Sequence, residues 1–72
     1  MKTVLPQGWR MERLGLISGV NFSKENRSLL WTDGQWFISI GGKHSPAPGV
    51  PHANDMKQAA TVGAAWLVEV ES

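Results

Sequence analysis

The sequence predicts an α+β fold: a three-stranded antiparallel sheet, four strands at most, packed on one C-terminal helix in the order βββα. Three observations carry that expectation. Asp33-Gly34 stands between two apolar, aromatic-rich runs. That is a strong hairpin signal, because a type I′ turn needs φ > 0 at both central positions. Residues 56–70 place apolar side chains at helical spacing. Between the two lies a stretch rich in Pro and Gly, 41–53, which separates sheet from helix.

The hairpin comes first because its loop fixes its register. With Asp33-Gly34 as the loop, Thr32 faces Gln35, Trp31 faces Trp36, Leu30 faces Phe37 and Leu29 faces Ile38. Side chains alternate along a strand. One face therefore carries Leu29, Trp31, Trp36, Ile38 and Ile40, and reads as core. The other carries Leu30, Thr32, Gln35, Phe37 and Ser39, mostly polar, with Leu30 and Phe37 opposite one another.

A lone hairpin is not stable in water. Residues 9–22 supply the remaining strand material: Trp9 and Met11 share a side, and Gly15 and Gly19 interrupt the apolar run that follows. One or two strands are expected there. Residues 41–53 hold Gly41-Gly42, Pro46, Pro48-Gly49 and Pro51. They are expected to form a long loop, since proline removes a backbone donor and fixes φ.

Asn54 or Asp55 starts the helix over 54–70, with Gln58 three residues beyond Asp55 as in a capping box. On a wheel of about 100° per residue, Met56, Ala59, Ala60, Gly63, Leu67 and Val70 form one apolar stripe, with Trp66 at its edge. The small residues at its centre leave room for Trp31 and Trp36 of the sheet. Gly63 costs about 1 kcal/mol of helix propensity relative to alanine, and close packing is the reason to keep it.

Size and composition narrow the function classes. A chain of 72 residues buries only about 60% of the surface its unfolded form exposes. Four Trp are the expected compensation, at about 150–250 Å² each. Cysteine is absent, so disulfides and Cys-based zinc sites are excluded and a cytoplasmic location is expected. No apolar run reaches the length of about 18 residues that spanning a membrane needs. Met1-Lys2-Thr3-Val4-Leu5-Pro6 lacks the apolar core of a secretion signal. Net charge is +1, a weak electrostatic footprint for a nucleic-acid binder.

Few residues suggest chemistry. His44, His52 and Asp55 frame the Pro-rich segment, and two His with a carboxylate could hold a metal or form an acid/base pair. Their spacing matches no metal motif. Gly41-Gly42-Lys43 follows a strand, but Pro46 and Pro48 prevent the helix a phosphate-cradling loop requires. The serines lie in no nucleophile motif. The chain is therefore read as non-catalytic, with no cofactor and no metal.

The expected function is protein–protein contact, by a small accessory or inhibitor protein of the kind phages and mobile elements carry. The partner is another protein, in the simplest version a second copy. Candidate contact residues are Leu30, Phe37, Trp9, Trp66, Arg10, Arg13, Lys43 and His44. The first alternative is a DNA-binding domain with Arg10, Arg13, Lys24 and Arg27 along the exposed sheet face. The βββα order is similar in topology to the small sheet-reading DNA-binding domains of plant transcription factors. The second alternative is a small metal or enzymatic protein using His44, His52 and Asp55.

Overall fold

A computed structural model describes residues 5–16 and 18–71. The expectation about a secretion signal falls largely on residues 1–4, outside the described residues. The fold is α+β, and its sheet has five strands: β1 (Arg10–Leu14), β2 (Gly19–Lys24), β3 (Arg27–Thr32), β4 (Gln35–Ile40) and β5 (Lys43–Pro46), followed by α1 (Met56–Glu71). The strands follow one another across the sheet in chain order, all antiparallel.

The Asp33-Gly34 hairpin has the register that its turn dictates, with Trp31 opposite Trp36 and Leu30 opposite Phe37. Asp33 and Gly34 hold φ of 49° and 83°, as a type I′ turn requires. The fifth strand departs from expectation. Gly41 and Gly42, read as breakers, hold φ of 59° and 86° and close a second turn of the same kind, which pairs Ile40 with Lys43. Residues 43–46 are thus an edge strand rather than part of the loop. Pro46 is tolerated because it ends an edge strand.

The β2–β3 turn is less relaxed. Glu25 takes φ of 55°, a region that costs a non-glycine residue about 1–2 kcal/mol. Glu25 is exposed, so its side chain has little to lose. Glu25→Gly is expected to raise stability by about 0.5–1 kcal/mol, read as a higher urea midpoint at unchanged slope. A lower midpoint would refute the strain.

The helix covers one face of the sheet, lying across β2 and β3. Its N-terminus is capped as the sequence suggests. The Gln58 N–H donates to Asp55 Oδ1 at 2.8 Å, and the Asn54 N–H donates to Gln58 Oε1 at 2.9 Å. Ala59, Ala60, Gly63, Ala64 and Leu67 are buried. Val70, placed on the stripe by the wheel, is 49% exposed, and Ala64 takes its place. Phe22, Leu29, Leu67 and Val20 fill the centre. The Phe22 and Trp36 rings stack at 6.4 Å between centroids, 28° from parallel.

The segment between β5 and α1 is packed rather than free. Val50 and Ala53 are buried, and Trp36 Nε1 donates to the Pro51 carbonyl at 3.0 Å. The Ala47 N–H continues the β4 ladder onto Trp36 O at 3.0 Å. This strap closes the end of the core that the helix leaves open.

Candidate functional site: the uncovered sheet face

The register defines the face of the sheet away from the helix. One row across the strands reads Arg10, Ser23, Ser28, Ser39, His44; the next reads Glu12, Asn21, Leu30, Phe37, Pro46; the last reads Leu14, Gly19, Thr32, Gln35. Leu30 and Phe37 are half-buried at the centre, two apolar side chains flanked by a hydroxyl row. The three serines could have been found from sequence in part: the Asp33-Gly34 register already sets Ser28 opposite Ser39.

Both edges of the sheet are defended against strand addition. β1 carries Arg10, Glu12 and Arg13. β5 has four residues and bears Lys43 and Pro46. Short, charged or proline-bearing edges discourage edge-to-edge pairing. The face away from the helix is the part of this sheet without such protection.

The candidate residues divide. Arg10, Leu30, Phe37 and His44 share the uncovered face. Arg13 lies in register with Val20 and Trp31, and Lys43 with Ile40 and Arg27, so both belong to the helix side. Trp9 is a buried residue of the core, not a half-exposed contact. Trp66 is half-buried against the same core. The cations assigned to a DNA-reading face are likewise split: Arg13, Lys24 and Arg27 all lie on the helix side, and Arg10 alone remains. Alternation along each strand decides this, and the positions of β1 and β2 were not fixed by any turn signal.

Arg27 is committed to a contact that sequence reasoning missed. Its guanidinium donates to both oxygens of Glu71, at 2.9 and 3.2 Å, and the Trp9 indole N–H donates to Glu71 Oε1 at 3.1 Å. Arg27 also lies over the Trp9 ring, 5.3 Å from its centroid, a cation–π contact. Hydrogen bonds from Arg27 and then Trp9 hold the Glu71 carboxyl below the usual carboxylate range. No local spacing signals this cluster, which joins residues 44 and 62 positions apart.

The histidines do not converge. His52 Nε2 pairs with Asn54 Oδ1 at 2.8 Å, Asp55 caps the helix, and His44 lies on the uncovered face opposite Ser39. Among the described residues no group of three or more His, Cys, Asp or Glu stands close enough to hold a metal ion. Ser39 and His44 are cross-strand neighbours, but no hydrogen bond joins their side chains.

An open groove of about 650 Å³ runs past the helix N-terminus, lined by Arg13, Trp31, Asp33, Asp55 and Lys57 among others. The Trp31 indole N–H is buried and without a hydrogen-bond partner. No described helix is long and apolar enough to cross a membrane.

No family model, curated protein or solved structure matches this chain.

Proposed function

We propose that this chain is a non-catalytic binding protein that engages another protein through the uncovered face of its sheet, with Leu30 and Phe37 at the centre of the contact. The observation that carries this reading is the one-sided cover of the sheet. α1 and the strap occupy one face, and the other presents a half-exposed apolar pair among small polar side chains. Interfaces are commonly built this way, with apolar anchors inside a polar rim. An accessory or inhibitor role suits such a surface, and the absence of cysteine suits the reducing cytoplasm.

A different protein fits this face better than a second copy. A two-fold axis along the strands, in face-to-face stacking, brings Arg10 over His44. An axis across them, through the Leu30 row, brings Glu12 over Glu12. The first places no opposite charge against Arg10, and the second sets like charges in apposition, which is unfavourable.

Phe37→Lys combined with Leu30→Lys tests the reading, since both side chains point away from the core. The doubly substituted protein is expected to keep its circular-dichroism spectrum and most of its stability. Used as bait in the native host, it should lose a partner that the unsubstituted chain retains, as quantified by mass spectrometry. Identical partner sets for the two baits would refute the proposal.

A further inference from the structure

On the helix side, a small cavity of about 80 Å³ lies between the end of α1 and strands β3 and β4. Leu29, Ile38, Ile40, Trp66, Leu67 and Val70 supply its apolar walls, and the Arg27–Glu71 pair stands at its rim together with Trp9. Ser28 adds one polar group to the lining, the walls are otherwise apolar, and a space of this size suits an apolar guest of a few atoms. Two of its wall residues are already open to solvent, Ile40 at 54% and Val70 at 49%.

We infer that the last turn of α1 is a lid on this cavity and that Glu71 is its latch. Val70 and Glu71 belong to that turn, and both line the cavity. The packing that would otherwise fasten the turn is thin, because Val68 and Val70 are exposed and the deepest anchor, Leu67, lies one turn earlier. Glu71 ties the turn to two other parts of the chain: Arg27, at the start of β3, and Trp9, just before β1. Such a weakly buried element, tied down at its end by this polar cluster, opens locally at less cost than the sheet beneath it.

The charges around Glu71 set when the latch holds. Arg27 faces it from β3, and Lys24 adds attraction from β2. The hydrogen bonds from Arg27 and then Trp9, aided by these two charges, favour the ionised carboxylate, so its folded pKa lies below its unfolded one. The latch's contribution is therefore fully present above the ordinary glutamate range. It is lost as pH falls through the lowered folded value.

Glu71→Gln tests the lid directly, with Arg27→Lys as a milder variant that keeps the charge but loses the two-pronged contact. In Glu71→Gln, the amides of residues 68–71 are expected to exchange with deuterium several-fold faster. The amides of Val20, Phe22, Leu29 and Trp31 should keep their protection. Xenon is a suitable apolar probe. The methyl resonances of Ile38, Ile40 and Val70 should respond to it at lower pressure in Glu71→Gln, with Arg27→Lys between the two. Acidification of the unsubstituted protein should reproduce the behaviour of Glu71→Gln. Unchanged exchange in the last turn, or an equal acceleration throughout the sheet, would overturn the lid. So would an identical xenon response in all three proteins.

Discussion

Gly63→Ala is expected to destabilise the protein by about 2 kcal/mol, although alanine is the better helix former. A β-carbon at position 63 would collide with the edge of the Phe22 ring and lie 2.9 Å from the Trp36 ring. Real side chains do not approach so closely. Phe22 is fully buried and Trp36 nearly so, and the two rings stack on each other, so neither can move aside without disturbing the other. Overpacking of this kind costs about 1–3 kcal/mol or more. The gain of about 1 kcal/mol in helix propensity offsets only part of it. A net loss of that size lowers the thermal midpoint by about 10 °C in a domain this small. Urea denaturation gives the free energy, and a Gly63→Ala protein as stable as the parent would show that the close contact is not limiting.

Phe22→Ala should have the larger effect, about 4 kcal/mol, typical of removing a buried phenylalanine. A chain of this length has a total stability of roughly 4–11 kcal/mol, so the substituted protein should be close to its unfolding threshold at room temperature. Loss of near-ultraviolet dichroism and of amide dispersion would register it. The two sites share one space, so their effects should not add. Phe22→Leu removes the ring edge that Gly63 accommodates. Gly63→Ala should therefore cost less in the Phe22→Leu background than alone. Equal costs in both backgrounds would mean that the ring is not what position 63 must clear.

Much of the fold was legible in the sequence. Two-residue turns act locally: Asp33-Gly34 fixed the partner of every residue in its hairpin. The helix was readable from its apolar period and from the Asp55/Gln58 cap. Gly41-Gly42 was ambiguous, because the dipeptide that closes a type I′ turn also breaks chains, and Pro46 beyond it favoured a loop. An edge strand reconciles the two, since the nitrogen of Pro46 can face outward from an outer strand, where no ladder asks for a donor.

The candidate site was only half legible. Leu30 and Phe37 followed from the hairpin register, but the basic residues did not. Arg13, Lys24 and Arg27 lie on strands whose orientation no turn announced, and a shift of one residue moves a side chain to the opposite face. Trp9 reads from the sequence as a candidate contact residue. It is instead buried by Arg27 and Glu71, which approach it from distant parts of the chain.

By itself the sequence determined the α+β class, the central hairpin with its register, the capped helix and the need for small residues along that helix's inner stripe. Each of these rests on interactions between residues close together in the chain, and such interactions write periodic or dipeptide signals. The tertiary structure alone decided that Phe22, rather than Trp31, fills the space above Gly63. It also decided that Arg13, Lys24 and Arg27 lie on the helix side of the sheet, and that Glu71 closes the helix onto Arg27 and Trp9. Those outcomes depend on where the helix comes to rest, which is set by side-chain volumes meeting across the core.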